Sequence, residues 1–160
     1  MESALAERER LVAIWRRLRK GRELPTWEDF DPTEVKSLLP YIVVVELVGE
    51  PVRYRVRLYG TAIAALRGDD LTGRYLDEPG ALPPGLWPQF KATYDEATTA
   101  REPVARDVTY RRLSDQTREW QHCRVILPFA RGDGTDVAIL MVAIIPAGET
   151  DGRPEAEAGN

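Results

Sequence analysis

The chain has 160 residues and a formal net charge of −4, with 43% hydrophobic and 30% charged side chains, the composition of an ordinary single domain. Its acidic balance argues against nucleic acid as a general partner, because neutralising phosphates requires a basic surface. One cysteine and one histidine exclude an internal disulfide and a metal cage built from several such ligands. The N-terminal segment lacks the apolar core of a secretory signal, and the longest apolar run is too short to span a membrane, so we expect a cytoplasmic protein.

Residues 3–20 have the spacing of an amphipathic helix, which Ser3 can cap and Gly21 can end. We expect this helix to pack on its own domain or on a second copy of the chain. A helix lying on a membrane surface is the alternative, which the three glutamates of residues 1–20 weaken. The apolar stripe recurs at intervals of about three and four residues: Leu5, Leu11, Val12, Trp15 and Leu18.

A short helix and a β-hairpin are predicted next. Asp31 followed by a proline is typical of a helix start, so we expect a helix at residues 32–39. The β-branched segment 41–48 predicts a strand, and residues 53–60 alternate strictly between apolar and basic side chains. That alternation places three apolar side chains on one buried face: Tyr54, Val56 and Leu58.

The opposite face of this second strand carries a comb of three arginines, Arg53, Arg55 and Arg57. Such a comb can bind an anion, but Glu46 on the neighbouring strand is placed to pair across. We therefore expect a salt-bridge ladder on this face. A dimer contact beneath the N-terminal helix is the alternative.

The stretch LYGTAIAALRGDDLTGRYLDE, residues 58–78, combines three glycines with threonines and acids, as a ligand-binding loop does. It contains no lysine and does not have the spacing of a phosphate-binding loop, and its paired acids do not follow calcium-loop spacing. We expect it chiefly to hydrogen-bond its own backbone. Thr61 would cap a short helix that Gly68 ends, and Gly73 would adopt a positive φ.

The second half of the chain predicts a long helix at 86–100 followed by three strands at 103–113, 119–130 and 137–146. The remaining residues, 148–160, contain no aromatic or large aliphatic side chain, and we expect them to be disordered. Helices between the second and third strands favour an α+β fold, with a five-stranded antiparallel sheet and helices on one face. The N-terminal amphipathic helix is additional to this unit.

Several short motifs in this order resemble the stand-alone bacterial PAS-domain family. The resemblance implies the PAS fold, a sensory or scaffold role, no uniform ligand and no enzymatic activity of the domain itself. It divides the chain into an N-terminal helix at 1–22, a PAS domain at 23–147 and a disordered tail from 148. The similar motifs are Leu24-Pro25, Asp29-Phe30-Asp31-Pro32, Leu39-Pro40, Arg55-Val56-Arg57, Gly60-Thr61 and Leu71-Thr72-Gly73-Arg74.

A PAS fold implies a small cavity between the sheet and its helices, and strand alternation suggests which side chains line it. If Cys123 faces this cavity, His122 and Arg124 face away from it. A slip of one residue in a strand would exchange half of the set. The predicted lining residues are Val56, Leu58, Ile63, Leu66, Tyr75, Phe90, Tyr94, Cys123, Val125 and Met141.

We therefore expect a non-enzymatic PAS module that binds a small apolar or amphipathic ligand or docks on signalling proteins in trans. We also expect a homodimer formed through the N-terminal helix and the sheet face. Related light-sensing PAS domains use a cysteine in a helix, and haem-binding ones use a helical histidine. Cys123 and His122 lie in a predicted strand instead, and Ser114 has no base beside it, so no cofactor is assigned and catalysis is unsupported. A haem- or other cofactor-binding sensor and a purely structural adaptor are the alternatives.

Overall fold

The computed structural model describes residues 3–83, 85–112 and 115–151, and its centre is a five-stranded antiparallel sheet. The strands lie in the order β2-β1-β5-β4-β3, so pairing between β1 and β5 joins an N-terminal hairpin to a C-terminal one. This confirms the predicted α+β fold. The strands are β1 Ile42–Val48, β2 Arg53–Tyr59, β3 Val104–Arg112, β4 Asp115–Phe129 and β5 Ile139–Asp151.

Two helices cover opposite faces of this sheet: α1, Ala4–Leu18, and α3, Leu86–Ala100. Adjacent residues of β4 show this, because Cys123 interacts with Arg8 of α1 whereas the Arg124 guanidinium lies 3.6 Å from the ring centroid of Phe90 in α3. Successive side chains of a strand point to opposite faces. We call the face under α3 the inner face and the face under α1 the outer face.

The apolar stripe of α1 packs on the outer face of its own sheet. Trp15 is completely buried, and its indole Nε1 donates a hydrogen bond of 2.6 Å to the backbone oxygen of Pro128 in β4. Ser3 caps the helix by accepting from the amide of Ala6. Leu5 was expected in the stripe but is 52% exposed. The buried side chains of the stripe are Leu11, Ile14, Trp15 and Leu18.

A 3₁₀ helix at Pro32–Tyr41 takes the place of the predicted helix at 32–39. Asp31 caps it as expected, since its carboxylate accepts from the amide of Thr33 at 2.9 Å. Glu34 joins this segment to α1 through two contacts of 2.5 and 2.7 Å with the Arg17 guanidinium and through its backbone oxygen, which accepts from Arg10. The outer face is therefore covered by two connected elements.

A β-bulge in β2 changes the direction of Leu58. Val45 pairs with Val56 but Val44 pairs with Leu58, so one extra residue, Arg57, interrupts the ladder. Leu58 is therefore 48% exposed, and its predicted inward direction is wrong. The alternation in the sequence assumed an unbroken ladder, which a bulge disrupts.

The glycine-rich stretch 58–78 binds its own backbone. It contains α2, Thr61–Arg67, whose N-cap is Gly60 rather than the predicted Thr61. A Cβ at Gly60 would lie 2.3 Å from the backbone oxygen of Pro40, so only glycine fits there. Gly73 has the expected positive φ of 85° and donates to the backbone oxygen of Val56 at 2.7 Å, which places this turn along the free edge of β2.

The C-terminal strand is longer than predicted. Gly148 pairs with Gln121 and Asp151 pairs with Arg118, so the expected disorder from residue 148 is wrong for residues 148–151. Residues 152–160 and Ser114 lie outside the described residues. Within the part of the chain that the structure describes, no helix is long and apolar enough to cross a bilayer.

Replacing Trp15 tests whether α1 is part of the folded unit. Trp15→Ala removes a completely buried ring and its hydrogen bond to Pro128, so we expect it to lower the free energy of unfolding by about 3–5 kcal/mol. Leu5→Ala, on the same helix but exposed, should change it by less than about 0.5 kcal/mol. Urea unfolding followed by circular dichroism measures both values. Equal, small effects would show that α1 does not pack on the sheet.

Candidate functional site

The inner face of β4 carries a buried arginine beneath α3. Arg124 is 6% exposed, and its guanidinium lies over the Phe90 ring at 3.6 Å from the centroid. A guanidinium over an aromatic ring is a favourable cation–π contact, which strengthens as water is removed. The contact fixes α3 against β4 at this point.

Three aromatic rings form a cluster on the same face, next to this contact. The ring centroids of Tyr54 and Tyr94 are 5.5 Å apart, and Trp87 lies 6.0 Å from Tyr54 and 6.2 Å from Tyr94. The hydroxyl of Tyr54 donates to Asp95 at 2.6 Å, and burial together with this carboxylate raises the pKa of Tyr54. Asp95 is also paired with Lys91 at 2.5 Å. The cluster ties β2 to α3.

The polar side chains of the inner face have an unusual charge arrangement. Arg106 of β3 is directly opposite Arg124 in the strand register, so two arginines are cross-strand neighbours on one face. Arg106 forms an ion pair with Glu96 of α3 at 2.5 Å. Burial raises the pKa of the Tyr94 hydroxyl, and the charge of Arg124 opposes that rise.

His122 lies two residues before Arg124 on the same face and is 5% exposed. Burial and the nearby Arg124 charge lower the pKa of His122 to about 3. Its imidazole is therefore neutral at physiological pH. A neutral imidazole can donate one hydrogen bond and accept another without adding charge.

The lining residues predicted in β4 and β5 point to the outer face and not to the inner face, because the alternation along these strands is offset by one residue from the prediction. Cys123 interacts with Arg8 of α1, and burial raises the pKa of its thiol. Val125 is two residues further along β4 and shares this outer face, as does Met141, which pairs with Leu127. The expectation that His122 and Arg124 face away is wrong for the same reason.

The other predicted lining residues divide between the inner face and the β2 edge. Val56, Phe90 and Tyr94 lie on the inner side, Ile63 is buried in α2, and Leu66 of α2 is half-buried. Tyr75 lies instead beside the β2 edge, where the guanidinium groups of Arg53 and Arg55 are 3.9 and 5.9 Å from its ring centroid. Within the arginine comb, Arg55 pairs with Glu46 as expected, whereas Arg53 pairs with Asp77 of the loop after β2, which was not predicted. Arg57 lies at the bulge, so the three arginines do not form one continuous ladder.

The predicted set missed four residues that lie on the inner side with Phe90 and Tyr94: His122, Arg124, Tyr54 and Trp87. The segment EWQHCRVILPFA contained a usable signal, since a histidine and an arginine two residues apart interrupt an otherwise apolar strand. Charged side chains are rarely buried unless they are paired, so such an interruption marks a position with specific polar contacts.

Comparison with known proteins identifies the family that has this architecture. Residues 4–143 match the family model of the PAS domain. The chain belongs to the PAS domain family. The resemblance read from its sequence motifs is thus confirmed at the level of the family, and the matched region of this PAS domain includes α1.

Solved structures with a similar fold include a light-oxygen-voltage domain studied with a flavin analogue. It is 12% identical, with a TM-score of 0.50 over 75% of this chain and 87% of that one. A fungal light-oxygen-voltage photoreceptor domain is 13% identical, with a TM-score of 0.42 over 67% of this chain and 75% of that one. A comparison with curated proteins finds no match. At these identities the similarity concerns the fold.

The residues of this PAS domain do not fit flavin photochemistry of the kind that uses a thiol. Its single cysteine, Cys123, faces α1 on the outer side of the sheet, away from the α3 rings. The described residues also contain no group of three or more histidine, cysteine or acidic side chains arranged to hold a metal ion. His122 places one imidazole on the inner face. This imidazole is neutral, which is the protonation state that metal ligation requires.

The low pKa of His122 gives a pH dependence of stability with a defined sign. The unfolded chain binds a proton near pH 6.5 and the folded chain only near pH 3, so stability is full above pH 6.5 and is lost as the pH falls towards 3. When the pH falls from about 7.5 to about 5, we expect the free energy of unfolding of the wild type to decrease by about 2 kcal/mol more than that of His122→Gln.

Denaturant unfolding at the two pH values measures this difference. Because His122 is the only histidine in the sequence, its imidazole signals in a proton NMR titration are an unambiguous check. The imidazole should stay neutral down to at least pH 5. An imidazole that titrates near 6.5 in the folded protein would contradict its burial on the inner face.

Proposed function

We propose that this PAS domain is a non-enzymatic sensory or regulatory module that binds a small amphipathic ligand on its inner face, between β4 and α3. A signalling protein acting in trans would recognise the ligand-bound state of the domain. The single observation that supports this best is Arg124, a charged side chain 6% exposed beneath the aromatic side of α3.

Stability alone is a weak reason for this arrangement. Removing a charge from water costs several kcal/mol, and apolar residues of similar volume often stabilise a core as well or better. Ligand sites, by contrast, are apolar and aromatic pockets with a few placed polar groups. The proposed binding residues are those predicted ones that lie on the inner side or in α2, together with the two polar residues of β4: Val56, Ile63, Leu66, Phe90, Tyr94, His122 and Arg124.

A route for the signal runs through β4 to α1. Pro128, four residues after Arg124 on the same strand, accepts the hydrogen bond from Trp15 of α1. A ligand that shifts β4 would therefore change the docking of α1, whose last turn is basic through Arg16 and Arg17. A homodimer through α1 remains part of the proposal, but it would use the exposed side of that helix, because the apolar stripe packs on its own sheet.

A thermal-shift screen against a metabolite panel tests the sensing function. We expect at least one small amphipathic compound to raise the melting temperature of the wild type. Tyr94→Leu, which keeps apolar bulk but removes the ring, should weaken its binding about tenfold, whereas Gln89→Ala, an exposed site on α3, should not. If no compound stabilises the wild type, ligand sensing is wrong and docking on a partner is the remaining role.

The placement of His122 favours a second candidate, a haem- or other cofactor-binding sensor. Haem-binding PAS domains use a histidine on a helix, whereas His122 lies on a strand, and this difference was the argument against haem. His122 is nevertheless buried on the inner face and neutral. A visible absorption spectrum of the purified protein tests this candidate. A Soret band that His122→Gln abolishes and Cys123→Ser leaves intact would support it, and a colourless protein would remove it.

A further inference from the structure

We propose that the free edge of β3 pairs with the same edge of a second copy of the chain, so that two sheets join into one antiparallel sheet across a two-fold axis at Thr109. This inference goes beyond the proposed function, because it assigns a self-association surface separate from α1 and from the inner face. It depends on three features of β3: its uncovered edge, the direction of its backbone groups and the order of its residues.

The two edge strands of the sheet differ in how they are covered. Residues 73–76 lie along the edge of β2, where the amide of Val56 donates to the backbone oxygen of Arg74 at 2.8 Å. Within the described part of the chain, no such segment forms backbone hydrogen bonds with β3, which pairs with β4 alone. β3 is nine residues long and contains no proline. An edge of this kind presents a row of unpaired amides and carbonyls to another strand.

The backbone of β4 shows which of its residues bond towards β3. Backbone groups of successive strand residues point alternately to the two neighbouring strands. The carbonyl of Phe129 accepts from Ala138, directly before β5, whereas the amide and carbonyl of Ala130 bond to residues 25–27 on the opposite side. The ladder between β4 and β5 has no bulge from His122 to Phe129. Even-numbered residues in this part of β4 therefore bond towards β3.

The same alternation in β3 turns the odd-numbered residues towards the free edge. Arg106 is the partner of Arg124, and the register stays regular beyond Thr109, so Asp107 and Thr109 direct their amides and carbonyls away from β4. The carbonyl of Ala105 agrees with this direction, since it accepts a hydrogen bond of 2.8 Å from the side chain of Arg106. The side chains of Asp107 and Thr109 are also exposed. This part of the edge is open to a second strand.

A two-fold axis at Thr109 places complementary residues opposite each other. Asp107 stands opposite Arg111 of the second copy, and the symmetry repeats this pair. Thr109 stands opposite itself, and Val108 stands opposite Tyr110 of the second copy. Opposite charges, paired threonines and an aromatic residue facing a β-branched one are all favourable cross-strand pairs. The edge of β3 is therefore complementary to itself, which favours a second copy as its partner.

The charges of β3 select this axis. Asp107 is the single acidic residue of the strand, so an axis at any other residue removes its opposite-charge partner, and an axis at Asp107 itself places two carboxylates opposite each other. The Thr109 axis leaves one like-charge pair, Arg106 with Arg112 of the second copy. Arg106 is already ion-paired with Glu96 at 2.5 Å, which reduces this repulsion.

Mixing two charge-reversal variants tests the inference. Asp107→Arg and Arg111→Asp each place like charges opposite each other, so each variant alone should self-associate about tenfold or more weakly than the wild type. An equimolar mixture should recover the wild-type affinity, because the contacts between the two different chains are again between opposite charges. Sedimentation velocity of the full chain over a range of concentrations measures these equilibria. A dimer formed only through α1 would not recover on mixing.

A second pair of variants tests the backbone contact at the axis. Thr109→Pro removes an amide that points away from β4, so the ladder to β4 keeps its hydrogen bonds while the free edge loses a donor. We expect Thr109→Pro to abolish association through β3. Thr109→Val keeps the amide and should associate as the wild type does. Circular dichroism checks that both variants fold.

Each outcome supports or overturns the β3 contact independently of ligand sensing. Recovery on mixing, together with loss of association in Thr109→Pro, supports it. A wild type that is monomeric at every concentration overturns it, and so does weakening by the charge variants without recovery in the mixture. A wild-type dimer that neither Asp107→Arg nor Thr109→Pro weakens also overturns it and leaves α1 as the interface. If Thr109→Pro does not fold, the mixing experiment alone decides.

Discussion

The register of β4 determines what the two faces of the sheet present. Because Arg124 contacts Phe90 of α3, His122 must share the inner face and Cys123 must face α1. The pairing of β5 with β4 extends this choice to Met141, which lies on the outer face. A shift of one residue would put a thiol under α3 and an arginine under α1, and the chemistry of the inner face would be different.

The sequence was informative where its pattern has a single explanation. The helix predicted at 86–100 coincides with α3, and β1 and β2 were located to within one residue, because periodicity and turn residues agree there. The direction of the side chains in β4 and β5 was not predictable in this way. Both faces of these strands are covered, so the apolar run from Val125 to Phe129 carries no alternation from which a phase can be read.

Two further differences between the sequence-based predictions and the structure also have local causes. The bulge at Arg57 depends on how β1 and β2 pair, and strict alternation within β2 contains no sign of it. The N-terminal helix was predicted, but which copy of the chain it packs on was open. The hydrogen bond from Trp15 to Pro128 and the contacts of Glu34 place it on its own sheet. In this PAS domain the outer face is therefore an internal contact, and the inner face carries the buried polar groups.

An NMR measurement of side-chain proximity tests the β4 register most directly. In a carbon-edited NOESY spectrum of the ligand-free protein, the ring protons of Phe90 should show cross-peaks to the δ protons of Arg124. Cys123 and Val125 should instead show cross-peaks to side chains of α1. Cross-peaks from the Phe90 ring to Cys123 or to the methyl groups of Val125 would contradict the account, because they would place the opposite set of β4 side chains beneath α3.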